Sequence, residues 1–375
     1  MKILFLCTYY HRAMIFRDAM NNLISNGHKV KAFNAVAYDS KIDEKYKGIM
    51  DELVIHKECF NRWDRFLYHV KQKKIYNALL SSCNIKDYDI VHSHMLFNGG
   101  YVAYLLKKHF GVPYIVSVRN TDINVFLKIP IFVKIANNII KEASGIQFLS
   151  PSYKETFINT YVRDNLKDTT SSKSIVINNG LENFWLENKS EVKTISNIKT
   201  INIICVGKID KNKNITTAIK AIKILKGKGH NVNFTVVGQV RDKAVLNEIK
   251  EESFVRVINY LTKEELINVY RDNDIYLMPS ISESFGRVYA EAMTQGLPVI
   301  YTKGQGFDGI FEDGHVGYSV PSNDEEYISS CILKIIDNYQ DISRRCVYES
   351  GKFDWKIIAE ELNQFYLDSL ERGRS

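Results

Sequence analysis

Glu283 and Glu291 flank Gly286 in the stretch Pro279-Ser-Ile-Ser-Glu283-Ser-Phe-Gly286-Arg-Val-Tyr-Ala-Glu291-Ala-Met-Thr-Gln-Gly-Leu-Pro-Val-Ile300. The pattern reads as a strand end, a loop, a helix and a new strand. Glycine lets the backbone come close to a ligand, and the helix after it offers unpaired N–H groups and a positive dipole end. Such a place suits a phosphate group, while the carboxylates suit the hydroxyls of a ribose and a sugar. A nucleotide sugar has all of these parts. The pair alone equally describes a helix glutamate with an ion-pair partner, so the surrounding residues decide.

Further groups able to do chemistry follow other apolar runs. Ile201–Val206 leads into Gly207-Lys208-Ile-Asp-Lys211-Asn-Lys213-Asn, a tight turn carrying three lysines. By composition alone this is a solvated loop. In the first half, Ile90-Val-His92-Ser-His94 and Val116-Ser-Val-Arg119-Asn120-Thr121-Asp122 both close strand patterns. His92 and His94 have the spacing of half a metal site, but no third ligand is evident. Arginine cannot serve as a base at neutral pH, although it binds phosphate well.

The sequence Glu283-Ser-Phe-Gly286, then Glu291-Ala-Met, then Gly296-Leu-Pro-Val-Ile300 resembles the donor-binding signature of retaining glycosyltransferases of family 4, which have the GT-B fold. Thr302-Lys-Gly-Gln-Gly-Phe and the residues to Tyr318 resemble the loop that follows. The resemblance implies that Glu291 holds the ribose hydroxyls and Glu283 the donor sugar. It gives the backbone around Phe285, Gly286 and Arg287 to the sugar and phosphate, and Tyr260, in Val257-Ile-Asn-Tyr260-Leu, to the base. Lys208 takes the place of a family arginine and Lys213 that of a family lysine, both on the donor diphosphate beside Gly207. Lysine keeps the charge and loses the bidentate fork. Arg119 departs from the family, standing where a histidine near the donor sugar is usual, and Asp122 is the surviving match. His94 or His11 is then the histidine left to compensate. Thr8-Tyr9-Tyr10-His11-Arg12 replaces the usual glycine-rich turn and is expected to shape the acceptor site. Asp87-Tyr-Asp89 and Asp272-Asn-Asp274 match the Asp-x-Asp pattern with which another glycosyltransferase fold holds manganese. Each directly precedes a buried strand, where acidic turn residues are ordinary, so no metal is expected.

Composition bounds the rest. A chain of 375 residues is long for one core and suits two domains. Its 45% hydrophobic and 25% charged residues are those of a globular protein. No apolar run reaches the ~18 residues of a membrane span, and Met1-Lys-Ile-Leu-Phe-Leu-Cys7 reads as a first buried strand, not a signal peptide. Six scattered cysteines without a Cys-x-x-Cys pair fit a reducing, cytoplasmic setting. Residues 1–185 hold 25 Lys and Arg against 16 Asp and Glu, and the remainder 25 against 27. The basic first half suits an anionic membrane surface or a lipid-diphosphate acceptor. No nucleic-acid module is present. Two segments mix apolar and basic residues as a membrane interface would, Trp63–Lys74 and Ile129–Ile140; a core-facing helix is the commoner explanation of each.

The elements that must position these groups alternate. Lys2–Cys7, Lys29–Asn34, Ile90–His92, Tyr114–Val118 and Ser174–Asn178 read as buried strands, with helices over Phe16–Asn26 and Gly100–Phe110. Asn183–Thr200 is polar and reads as a linker. A second series runs from strand Ile201–Val206 through helix Thr216–Lys226, strand Asn233–Val237, helix Val240–Ser253, strand Val255–Ile258, helix Lys263–Arg271, strand Ile275–Met278 and helix Gly286–Gln295 to strand Pro298–Tyr301. The tail from Asn323 onward is mostly helical. The expectation is α/β: two doubly wound Rossmann-like domains facing a cleft, with ligands beyond the carboxyl ends of the strands. An acceptor-binding domain spans 1–182 and a nucleotide-sugar-binding domain 183–352. By resemblance, a helix from about 353 to 375 crosses back to the first.

The expected protein is a retaining, metal-independent glycosyltransferase without a cofactor. It moves a sugar from a nucleoside diphosphate, UDP before GDP, to a glycan or polyprenyl-diphosphate-linked acceptor in cell-surface polysaccharide synthesis, at the inner face of the membrane. Two alternatives keep the same architecture: a sugar-nucleotide epimerase, and a binding subunit without catalysis.

Overall fold

The computed structural model describes residues 1–8, 14–38, 40, 52–193 and 200–374. It divides into two compact units: residues 1–149, 153–180 and 355–375 in one, 150–152 and 181–354 in the other.

The first unit is built on a seven-stranded sheet: β1 (Lys2–Leu6), β2 (Lys29–Ala37), β3 (Val54–Phe60), β4 (Ile90–Ser93), β5 (Tyr114–Val118), β6 (Gly145–Phe148) and β7 (Ser174–Val176), in the order β3-β2-β1-β4-β5-β6-β7. Every pairing is parallel. Strands buried on both faces need apolar residues throughout, which is why β1 reads Lys-Ile-Leu-Phe-Leu. Leu4 and Leu6 face one half of the core and Ile3 and Phe5 the other. The second half is closed by helix Trp355–Arg374, which contributes Trp355, Ile358, Leu362, Phe365 and Tyr366.

Two glycines let that helix lie close to the sheet. A Cβ on Gly180 would stand 2.5 Å from the Trp355 ring, and one on Gly145 would stand 2.6 Å from Phe365. Gly180→Ala is therefore expected to lower unfolding free energy by about 1–3 kcal/mol through overpacking. Denaturant titration checks this, and an unchanged midpoint would remove the tight-fit argument.

The second unit carries β8 (Ile201–Val206), β9 (Val232–Val237), β10 (Val255–Ile258), β11 (Ile275–Leu277), β12 (Val299–Thr302) and β13 (Gly317–Val320), in the order β10-β9-β8-β11-β12-β13, again all parallel. In each sheet the strand order reverses beside the first strand, between β1 and β4 and between β8 and β11. Such a switch point opens a crevice at the carboxyl ends of the strands. Both units thus have the doubly wound α/β architecture.

Several sequence readings need correction. The residues after Asn183 are not a linker through Lys193: Asn183–Glu187 is helical and Trp185 is buried against Tyr270, ring centroids 5.7 Å apart. Lys193 donates to the carbonyls of Tyr270, Arg271 and Asn273, which anchors the segment to the second unit. Residues 194–199 lie outside the described residues. The helix read over Val240–Ser253 spans only Lys243–Lys250, because Asp242 caps it by accepting from the amides of Ala244 and Val245. Strands β3, β6 and β13 were not anticipated.

Candidate functional site

Switch-point geometry puts the loops after β8 and β11 side by side, and these hold Gly207, Lys208, Lys213, Glu283 and Gly286. The amide of Ile281 donates to Asn212 O at 2.8 Å, Asn212 Nδ2 to Ser282 O at 2.9 Å, and Asn214 Nδ2 to Pro279 O at 3.0 Å. Three bonds make one body of the two loops. Asp210 caps the short turn Lys211–Lys213, accepting from the Lys213 amide at 3.1 Å. Asn214 then takes a left-handed conformation, φ 54°, which asparagine tolerates better than most residues.

Lys213 runs across Gly207: a Cβ there would stand 3.0 Å from Lys213 Cε. Its ammonium reaches Glu283 Oε2 at 2.6 Å, with both side chains largely shielded from water. Two residues chosen separately from the sequence are thus a close ion pair. Lys208 is exposed and forms no ion pair among the described residues.

The other Glu283 oxygen accepts from the Ser284 amide at 3.0 Å. Its own amide donates to Gln305 Oε1 at 3.1 Å, and its carbonyl accepts from the Gly306 amide at 3.1 Å. The loop after β12 therefore fixes Glu283. Gly306 is required there because a Cβ would overlap Ser284 O at 1.8 Å. Gly238 has the same duty under Gly207, whose carbonyl oxygen a Cβ would meet at 1.8 Å. Sequence reasoning passed over Gly238, and it singled out the run Thr302-Lys-Gly-Gln-Gly-Phe without giving Gln305 or Gly306 a role of its own.

Gly286 (φ 75°, ψ 60°) starts helix Arg287–Thr294. The amides of Phe285, Gly286, Arg287 and Val288 reach no acceptor among the described residues. Four donors without an acceptor at a helix start make a candidate anion cradle. The Phe285 side chain points away into an aromatic cluster with Phe307 and Phe353, so only its amide faces the cradle. One turn on, Glu291 is half-buried and its carboxylate makes no hydrogen bond to a described residue. Burial pushes it up to about 7, helped by Glu182 and opposed by Arg287. Tyr260, at the carboxyl end of β10, is 75% exposed, an open aromatic face.

In the first unit, Arg119 donates from Nε to His94 O at 2.7 Å and lies 5.2 Å over the Phe16 ring. Only one edge of its guanidinium is engaged. Asp122 is fully buried, and its oxygens accept from the amides of Arg119 (2.9 Å), Leu96 and Phe97 (both 3.2 Å). Burial lifts it to about 6, with those amides and Arg119 pulling the other way. It ties the turn after β4 to the start of helix Asn120–Asn124.

His94 sits 4.0 Å from the His92 ring and 4.3 Å from Phe5, with no hydrogen bond at either nitrogen. Burial, His92 and Arg119 hold it well below the usual histidine range. His92 is held at about 3 by burial and Arg119. Its nitrogens are taken up by Tyr366 Oη at 2.7 Å and Ser117 Oγ at 2.8 Å. Both rings are thus held toward the neutral form. Tyr9, Tyr10, His11 and Arg12 lie outside the described residues.

The acidic pairs lie at strand starts. Asp89 accepts from the Lys2 amide at 2.7 Å and Asp274 from the Asn202 amide at 2.8 Å. No three metal-ligating side chains come together among the described residues.

Residues 187–353 match the sequence family described as glycosyl transferases group 1. The chain is 25% identical to an uncharacterized glycosyltransferase of Methanocaldococcus jannaschii, with 98% of each covered. It is 27% identical to the capsular polysaccharide biosynthesis glycosyltransferase CapM of Staphylococcus aureus, over 60% of this chain and 61% of that one. Among solved structures, the lipopolysaccharide outer core galactosyltransferase WaaB superposes with a TM-score of 0.76 at 14% identity, covering 98% of this chain and 99% of that one. HepE of Anabaena in complex with UDP gives 0.70 at 16% identity, covering 98% and 100%. These neighbours share the GT-B fold of two Rossmann-like domains. Residues 187–353 are thus a glycosyltransferase group 1 domain, and by that domain the chain is a glycosyltransferase.

Proposed function

We propose that the chain is a retaining glycosyltransferase of family 4 that takes its sugar from a nucleoside diphosphate, a UDP-sugar before a GDP-sugar. The second unit binds the donor; the first, which includes helix Trp355–Arg374, binds the acceptor. The observation that carries this is helix Arg287–Thr294, which pairs four acceptor-less amides with an unpartnered, half-buried carboxylate one turn away. A diphosphate and a ribose diol fill those two needs together. Tyr260 offers the base an aromatic face.

The anomeric C–O bond breaks with its electron pair going to the diphosphate oxygen. Lys208, Lys213, Arg287 and the amides of 285–287 meet that growing charge. The acceptor hydroxyl attacks the same face and its proton passes to the departing phosphate. Glu283, oriented by Gln305, contacts the donor sugar while its partner Lys213, held in place beside it, meets the phosphate. Arg119 offers its free edge to a phosphate of donor or acceptor. No residue of the chain is assigned as a covalent nucleophile, and no metal or cofactor is required. The acceptor is a glycan or polyprenyl-diphosphate-linked glycan of surface polysaccharide synthesis, as the named role of CapM supports. The setting is the cytoplasm, at the inner face of the membrane.

Calorimetric titration with UDP-glucose across pH 6 to 8 tests the donor site. A ribose diol donates best to a carboxylate, so affinity rises as pH rises through about 7, where Glu291 loses its proton. The sugar diphosphate is a diester and does not titrate there. Glu291→Gln is expected to flatten the profile and weaken binding at pH 8 by about tenfold. A flat profile in the unsubstituted protein would overturn the role of Glu291. Proton NMR of the first transfer product reads the anomeric configuration; inversion would overturn the retaining assignment.

A further inference from the structure

Six large apolar side chains stand exposed on two neighbouring stretches of the first unit. Trp63, Phe66 and Leu67 are 77%, 69% and 60% exposed; Val125, Ile129 and Ile131 are 57%, 47% and 56% exposed. The first three precede helix Tyr68–Leu80 and the others surround the start of helix Pro130–Glu142. The two helix starts are held together from beneath. Tyr68 and Phe132 meet edge to face at 5.2 Å, and Phe97 packs on both, at 6.3 and 5.1 Å. The exposed residues therefore belong to one patch.

Its charge is of one sign. Lys73 is exposed one turn further along the first helix, Lys134 along the second, and Lys128 lies between. The one acid within residues 61–74 is Asp64, buried and paired with Lys74 at 2.7 Å. Residues 123–141 contain none. An apolar tip with cationic shoulders fits a surface that is apolar inside and anionic outside. A second copy docking by two-fold symmetry would set the same lysines against each other.

We infer that this patch docks the first unit onto an anionic lipid bilayer, with Trp63 and Phe66 entering the headgroup boundary and Lys73, Lys128 and Lys134 meeting lipid phosphates. It deepens the acceptor reading above, on which its biological sense rests, by stating how a lipid-linked acceptor is approached.

Sedimentation of the full chain with vesicles tests it without sugar transfer. Binding is expected to phosphatidylcholine vesicles containing phosphatidylglycerol, to weaken with salt, and to be slight with phosphatidylcholine alone. Trp63→Ser with Phe66→Ser should lower partitioning about tenfold, and Lys73→Glu with Lys134→Glu should do the same while unfolding midpoints stay unchanged. Failure of the unsubstituted protein to bind, or binding by both variants equal to it, overturns the inference. So does light scattering that shows a dimer which either variant dissociates, because the patch would then serve a second copy. None of these readings depends on donor binding, so the two proposals fail separately.

Discussion

Lys213→Ala is expected to lower kcat/KM for sugar transfer by about 10²–10³-fold, the usual cost of removing one preorganised group from a developing anion. The ammonium is held by the Asp210-capped turn, by its stem across Gly207 and by Glu283 at 2.6 Å. It therefore spends little reorganisation when the leaving diphosphate gains charge. The substitution also strands Glu283, so a second variant separates the two effects. Lys213→Ala with Glu283→Gln removes the stranded charge. If Lys213 only neutralises Glu283, the double variant matches Glu283→Gln alone; if it serves the leaving group, the double variant loses about as much again. Activity equal to the unsubstituted enzyme in the single variant would end its role.

Gly286→Ala is expected to weaken UDP-sugar binding roughly a hundredfold, with a smaller loss of stability. The left-handed backbone costs an L-residue about 1–2 kcal/mol. The new Cβ would also stand 2.4 Å from Tyr289 Cε2. That ring has little freedom to yield: its hydroxyl donates to Met278 O at 2.7 Å, and it packs on Tyr276 and Phe307 at 5.4 and 5.0 Å. The loop must shift instead, and the four amides of the cradle shift with it. Calorimetric affinity equal to that of the unsubstituted protein would show that the cradle is not where the phosphates sit.

Much of this was legible in the chain because buried parallel strands write themselves as apolar runs. Ile201–Val206 and Val255–Ile258 were read to the residue. The strands that escaped lack that run. β3 is Val-Ile-His-Lys-Glu-Cys-Phe with an exposed middle, β6 is four residues including Gln147, and β13 is Gly-Tyr-Ser-Val. The polar segment after Asn183 misled for a related reason. Composition does not reveal that one tryptophan is buried or that one lysine amine is spent on three carbonyls.

At the candidate site, residues with charge were easy to nominate and their mutual placement was not. Glu283 and Lys213 are 70 positions apart in sequence, and nothing local announces that they pair. Gly238 and Gly306 matter only because another backbone passes within touching distance of each, a tertiary fact invisible in a lone glycine. Asp122 was nominated as the surviving match to a family motif, which does not reveal that its carboxylate accepts from three backbone amides.

Helix Trp355–Arg374 has a consequence for how the protein comes into being. The Ile3 and Phe5 face is completed by side chains synthesised some 350 residues later. During translation residues 181–354, an unbroken segment, are able to finish folding first. Until helix Trp355–Arg374 leaves the ribosome, that side of the earlier sheet is covered only in part, by Phe16, Ala19, Met20 and Leu23. Shortening that helix thus threatens the yield of folded protein before it touches catalysis.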